Sequence, residues 1–325
     1  MADTFVASSS LQAVVSRSDE VVLRMRNLSK RYGQRLAVDN LSMEVRRGDI
    51  FGFLGPNGAG KTTTIRMALG LIAPTAGQVE ILGRDVATHR ASVLPRVGAL
   101  IETPALRLYM SGRNNLRSFG AVLGGVSPKR IDTVLDLVGL ANRQNDRVRA
   151  YSLGMKQRLG IAIALLNDPD VLILDEPANG LDPAGIVEIR NLMRNLAAAG
   201  KTIFISSHVL AEVQQLCTHI AIINQGQLIT EATVAELTHG QGEYVVVVEQ
   251  VGEALRLVQQ QPWGKGASID EQGRLLTAAP EGLGRYLTQF LASHGFFPDR
   301  LTYRGESLEE VFLRLTRTNT GGTQA

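Results

Sequence analysis

The sequence predicts an α/β protein with a mainly parallel core sheet, followed by a small α+β domain, and three observations predict it. From Val21 to about Leu228, short apolar runs with β-branched residues alternate with segments of helical period, the pattern of a layered α/β domain. The runs are almost continuously apolar, as strands are when helices cover both faces of a parallel sheet. After Gly240-Gln241-Gly242 the composition shifts, and a separate series of short strands and helices begins.

The parallel core is predicted to use the strands Ile50–Leu54, Val171–Leu174, Thr202–Ser206 and His219–Ile223. Between them, Ile186, Ile189, Leu192, Met193 and Leu196 share one face of a helix that closes at Ala197–Gly200. Gly200 suits the left-handed position that ends a helix. From Met110 to Leu140 the pattern is helical without strong strands, and Ser127-Pro128 marks a helix start, so a helical insertion is expected there. The C-terminal series reads as a strand over Tyr244–Glu249, a helix, two short strands, a helix at Gly284–His294, a strand near Leu301 and a last helix from Leu308. It carries no chemical motif. Trp263, in a Gln/Pro/Gly-rich loop, reads as a packing or surface residue.

The expected organisation is a disordered extension over residues 1–20, a main domain over 21–240 with its helical subdomain at about 103–165, an accessory domain over 241–318 and a flexible tail over 319–325. A length of 325 residues, with 44% hydrophobic and 20% charged residues, is that of a folded globular chain with room for two cores. The longest span free of Asp, Glu, Lys and Arg, Val213 to Thr230, is broken by Gln, His, Asn and Gly, so no segment is fit to cross a bilayer. Cys217 is the only cysteine, which excludes an intramolecular disulfide and a cysteine cluster for zinc and fits a reducing compartment. It reads as a small buried hydrophobe on a helix. The 34 basic and 31 acidic residues are interspersed without a block of like charge, so a nucleic-acid partner is not expected.

Gly55-Pro56-Asn57-Gly58-Ala59-Gly60-Lys61-Thr62 fits the phosphate-loop pattern and lies between a predicted strand and a helix opening at Lys61, where the chemistry needs it. Glycines allow backbone N–H groups to turn inward and approach phosphate oxygens at dihedrals a Cβ would obstruct. The helix N-terminus adds a positive dipole end. Lys61 is expected to reach the β and γ phosphates of a nucleotide, with the Thr62 hydroxyl on Mg²⁺. A carboxylate must hold that metal, and Asp175 stands at the end of the buried strand Val171-Leu172-Ile173-Leu174. Glu176 follows directly, where a second carboxylate can polarise the attacking water.

These two motifs also fit a GTPase, a kinase or a helicase. The residues that discriminate lie between and after them. Tyr151-Ser152-Leu153-Gly154-Met155-Lys156-Gln157-Arg158-Leu159 resembles the signature sequence of ABC-type ATPases: Ser152, Gly154, Gln157 and Arg158 match it, while Tyr151, Leu153 and Met155 depart from it. The resemblance extends over roughly Val21–Glu231. Leu181-Asp182 resembles the D-loop of that family, Ser206-Ser207-His208 its switch histidine, and Tyr32 the aromatic residue on which adenine stacks. Glu102, in Gly98-Ala99-Leu100-Ile101-Glu102-Thr103-Pro104, occupies the position where most members place Gln, and an oxygen ligand there can still face Mg²⁺ directly or through water.

The resemblance implies a P-loop NTPase fold with N-terminal antiparallel strands and a helical subdomain, ATP and Mg²⁺ as ligands, and hydrolysis by Glu176 and His208. It implies nucleotide contacts at Tyr32, the phosphate loop through Thr63, Ser152, Gly154 and Asp182. Two such subunits face head to tail, so that the phosphate loop of one and the signature of the other enclose one ATP. The partners implied are therefore a second ATPase subunit and a multi-span permease, and the place implied is the cytoplasmic face of a membrane. Glu102-Thr103-Pro104 and the signature stretch resemble in particular the branch that exports bacitracin and lantibiotic peptides, with generic drug, ion or lipid export by related bacterial systems as the alternative. The C-terminal Glu306-Ser307-Leu308-Glu309-Glu310-Val311-Phe312 resembles the accessory tail of ATPases in that broad group. A soluble family member acting on ribosomes or DNA is the rival reading; a single ATPase copy and the lack of a long coiled-coil insertion or a concentrated basic patch stand against it.

Overall fold

The parallel sheet forms where the sequence is most continuously apolar. In the computed structural model, which describes residues 19–239 and 242–320, the chain runs through β1 (Val21–Tyr32), β2 (Arg35–Arg46), β3 (Ile50–Leu54), α1 (Lys61–Ala68), β4 (Ala76–Ile81), β5 (Arg84–Asp85), α2 (Val86–Val93) and β6 (Val97–Leu100). The helical insertion follows as α3 (Gly112–Val122), α4 (Pro128–Leu137) and α5 (Leu153–Ala164). Then come β7 (Val171–Asp175), α6 (Pro183–Ala198), β8 (Thr202–Ser207), α7 (Leu210–Leu216), β9 (His219–Asn224), β10 (Gln227–Thr233) and α8 (Val234–His239). The last series is β11 (Glu243–Val247), α9 (Val251–Gln259), β12 (Ser268–Ile269), β13 (Leu275–Thr277), α10 (Gly284–Ser293), β14 (Arg300–Arg304) and α11 (Leu308–Thr320). Most of the expected extension, the boundary residues 240–241 and the end of the expected tail lie outside the described residues.

Two compact units result. The first takes the described residues to His208 together with 221–230. Its six-stranded sheet has the order β10-β9-β3-β8-β7-β6, and β3, β8, β7 and β6 are parallel neighbours. Phe51 and Phe53 fall on one face of β3 by the two-residue strand period, and both rings pack on Phe204 of β8, at 5.8 and 5.4 Å between centroids. A second sheet, β2-β1-β4-β5, is antiparallel and shares its core with the first through residues such as Leu23, Met25, Ile65 and Ile173. Asp19 and Glu20, the last two residues of the segment expected to extend from the fold, are ion-paired to Arg46 at 3.1 Å and Arg47 at 2.6 Å.

Helix ends follow their capping chemistry. Ser127 accepts from the Arg130 N–H to start α4, with Pro128 at the first position. Past the end of α6, Gly200 takes φ +86°, the left-handed value that a C-terminal glycine supplies.

The second unit takes 209–220 and the described residues from 231 onward, so α7 and α8 join the series that begins at β11. Its sheet is antiparallel in the order β12-β13-β11-β14. Leu287, Leu291, Ala254 and Val258 bury one face of α9 and α10 in its core, with the Trp263 ring edge-on to Phe290 at 5.2 Å. Helix α11 begins with the Leu308 N–H donating to Gln214 Oε1 of α7 at 3.1 Å. Cys217 is buried just past the end of α7 in an extended conformation, rather than on the helix, and burial pushes its thiol pKa far up.

Candidate functional site

The loop between β3 and α1 is shaped by close backbone approaches. Gly60 has φ +107°, and a Cβ there would stand 2.6 Å from the Ala37 carbonyl oxygen of β2. A Cβ at Gly55 would stand 2.5 Å from the Ile223 carbonyl oxygen of β9. The loop is thus pressed between two strands, and only glycine fits both contacts. Gly226, in the turn after β9, also donates to the Ala59 carbonyl at 2.9 Å. No side chain caps α1, so its first N–H groups remain available to an anion.

Above this loop opens a cleft of about 600 Å³, lined by Tyr32, Arg35, Asn57, Gly58, Lys61, Thr62, Thr63, Glu176, Asn179 and His208 among others. That volume suits a nucleotide-sized ligand. Lys61 is nearly buried, with its Nζ donating to the Gly55 carbonyl at 2.7 Å and lying 3.2 Å from Glu176 Oε1. Pro56 also lines the cleft, whereas Ala59 is buried beneath it.

The two carboxylates at the end of β7 are held differently. Asp175 is buried, and Thr62 Oγ1 donates to its Oδ2 at 2.8 Å while Ser206 Oγ donates to its Oδ1. Glu176 turns out of the strand at φ +51°, a left-handed value that costs a residue with a Cβ on the order of 1 kcal/mol or more. Its N–H is received by Ser206 Oγ at 3.0 Å and by the Ser206 carbonyl at 3.2 Å. The turn aims the carboxylate into the cleft, where Oε2 lies 2.7 Å from His208 Nδ1.

The arrangement fits a nucleotide with a hard cation. Thr62 and Asp175 bring two oxygen donors together at the foot of the phosphate loop. Among the described residues no cluster of three His, Cys, Asp or Glu side chains forms an all-protein metal site. Mg²⁺ commonly completes its shell with water and substrate phosphates around one or two protein oxygens, so these two suffice.

The remaining predicted residues are distributed. Tyr32 lies half-exposed at the cleft, with Lys30 Nζ 5.2 Å from its ring centroid. Glu102 follows β6 at φ +57°, is exposed, and pairs with Arg66 of α1 at 2.6 Å; it does not line the cleft. Ser152 caps α5 by accepting from the Met155 N–H at 3.2 Å, and Asp182 caps α6 by accepting from the Gly185 N–H at 3.1 Å. A Cβ at Gly154 would lie 3.9 Å from Gly185 Cα and from Leu181 Cδ2, so the two helix starts abut. None of these three lines the cleft of its own chain. Tyr151, a departure from the usual signature, is buried with its hydroxyl on the Arg143 carbonyl at 2.7 Å, and burial raises its phenol pKa.

Arg35 and Asn179 line the cleft without any motif to announce them. The sequence marks Ser206 as the end of the strand Thr202–Ser206 and as part of the stretch before His208, with no role of its own. Its bonds to Asp175 and Glu176 follow from the register of β7 against β8, which pairs Asp175 with Ser206.

A phosphate loop at the end of a buried parallel strand, with two carboxylates at the end of a second parallel strand one place removed in the same sheet, defines a P-loop nucleoside triphosphatase. The ABC transporter family pattern matches residues 38–179. The bacitracin transport ATP-binding protein BcrA of Bacillus licheniformis is 40% identical over 303 residues, covering 93% of this chain and 99% of that protein. The daunorubicin resistance ATP-binding protein DrrA3 of Streptomyces coeruleorubidus is 38% identical over 298 residues, covering 88% and 93%. Among solved structures, cbiO1 of Clostridium perfringens, part of an ABC transporter complex, superposes with a TM-score of 0.63 at 26% identity, covering 75% of this chain and 96% of that one. The chain belongs to the ATP-binding proteins of ABC transporters: it binds ATP and hydrolyses it to power transport.

Proposed function

We propose that the chain drives export of a peptide antibiotic or related drug through a separate multi-span permease, as one of two head-to-tail ATPase subunits at the cytoplasmic face of a membrane. The observation that carries this reading is the match to the bacitracin transport ATP-binding protein over 99% of that protein's length, second unit included. Among the described residues no helix is long and apolar enough to cross a membrane, which accords with a separate permease. A groove of about 750 Å³ between β6 and the helical insertion, lined by Leu94, Val97, Phe119, Val122 and Ile163, offers an apolar seat for a permease segment.

In this reading adenine stacks on Tyr32 while the loop N–H groups and Lys61 take the β and γ phosphates. Thr62 and Asp175 would hold Mg²⁺, which neutralises charge on the transferring phosphoryl group. Glu102 would add an oxygen ligand for the metal, directly or through water, only on leaving Arg66. The Lys61–Glu176 pair gives way as phosphate enters, which frees Glu176 Oε1 for the attacking water. Glu176 takes a proton from that water as its oxygen bonds to the γ phosphorus, and the bond from that phosphorus to the β–γ bridging oxygen breaks. His208 holds Glu176 and the γ-phosphate in register. Ser152 and Gly154, with Asp182 beside them, close the cleft of the facing subunit, which explains why they do not reach the cleft of their own.

Purification from detergent-solubilised membranes tests the partner. The chain is expected to bring down a protein with several apolar spans of about 20 residues each. Sedimentation with ribosomes or DNA instead would favour the soluble rival.

A further inference from the structure

We propose that Ser206 is a positioning residue for both carboxylates of the site, an inference that rests on the roles of Asp175 and Glu176 proposed above. A serine hydroxyl has one proton and two acceptor lone pairs. Here the proton goes to Asp175 Oδ1, and one lone pair receives the Glu176 N–H at 3.0 Å, so both capacities are directed at the site. The side chain is fully buried, where an unmade hydrogen bond has no water to replace it.

Two consequences follow. With Oδ1 occupied by Ser206, the Asp175 carboxylate is locked in the plane that turns Oδ2 to Thr62, the other oxygen of the proposed metal seat. Receipt of the Glu176 N–H also anchors the left-handed turn at φ +51° that carries the Glu176 carboxylate to His208. Removing the hydroxyl frees Asp175 to rotate and leaves the turn held only by the longer bond from the Glu176 N–H to the Ser206 carbonyl at 3.2 Å. Metal affinity and turnover therefore fall together, whereas the phosphate loop, which Ser206 does not touch, keeps its grip on nucleotide.

The test is Mn²⁺ binding to the full chain with a non-hydrolysable ATP analogue, read by electron paramagnetic resonance, alongside analogue binding without metal and phosphate release. Ser206→Ala and the similarly sized Ser206→Cys are expected to weaken Mn²⁺ binding and turnover by about 10- to 100-fold, the usual cost of removing a group that orients a metal ligand. Metal-free analogue binding stays unchanged, and Ser206→Thr, which keeps the hydroxyl, retains Mn²⁺ affinity near the native value. Native Mn²⁺ affinity in Ser206→Ala, or a loss as large in Ser206→Thr as in Ser206→Ala, would overturn the inference. Asp175→Asn separates the two levels. If it too leaves Mn²⁺ affinity intact, the reading of Asp175 as metal partner fails; if it abolishes Mn²⁺ binding while Ser206→Ala does not, only the positioning role fails.

Discussion

Glu176 Oε2 lies 2.7 Å from His208 Nδ1, so the last residue of the strand-end motif and the residue that follows β8 meet across the cleft. The other oxygen of the same carboxylate is 3.2 Å from Lys61 Nζ. Glu176, His208 and Lys61 thus form one connected set. The lysine is kept beside the loop by neutralising contacts that a γ-phosphate can replace.

The fit of the phosphate loop predicts a sharp penalty for a single methyl group. Gly60→Ala forces a Cβ to within 2.6 Å of the Ala37 carbonyl at φ +107°. Denaturant unfolding should show a loss of about 1–3 kcal/mol, with strain as the cause. ATP binding, followed by a fluorescent analogue, should fall with it; native affinity would contradict the described loop geometry.

Glu102→Gln removes the charge that pairs with Arg66 but keeps a side-chain oxygen at the same place. The pair is exposed on both sides, so the stability change should stay within about 1 kcal/mol. ATP binding is expected to persist while the ratio of substrate moved to ATP hydrolysed changes in reconstituted vesicles with the permease. Silence in both ATPase and transport assays would remove this loop from the functional account.

Asp170 tests the electrostatics behind β7. The hydrogen bond from Arg96, and then that from Arg47, holds its carboxyl below the ordinary aspartate range. A folded-state pKa below the unfolded value, about 4, means the stabilisation is complete above that pH and is lost as pH falls through the lower folded value. The Tm gap between the native chain and Asp170→Asn should therefore be widest above about pH 4 and close on further acidification. A gap that widened in acid would contradict the pairing.

Much of this was legible in the sequence because it is local. The strand over Ile50–Leu54, the loop at Gly55–Gly60 and the pair Asp175-Glu176 are each written in consecutive residues, and each stands where the pattern put it. Tertiary register supplied what the pattern could not. Ser206 meets Asp175 only because β7 and β8 align those two positions, and Glu102 meets Arg66 from 36 positions further along the chain. Helix α7 joins the second unit, where Gln214 caps a helix beginning 94 residues later, a partnership no local window contains. The closing of one subunit's cleft by another's Ser152 belongs to the resemblance, since nothing in a single chain's spacing states it.

The most direct measurement is phosphate release by Glu176→Gln in parallel with its ATP binding. The amide keeps the shape and the contact with His208 but cannot take a proton from water. Turnover should fall by roughly 10²- to 10⁴-fold with ATP affinity retained and the ATP-bound dimer accumulating. Hydrolysis at the native rate would contradict the assignment of Glu176 as the base and, with it, the account of how this cleft works.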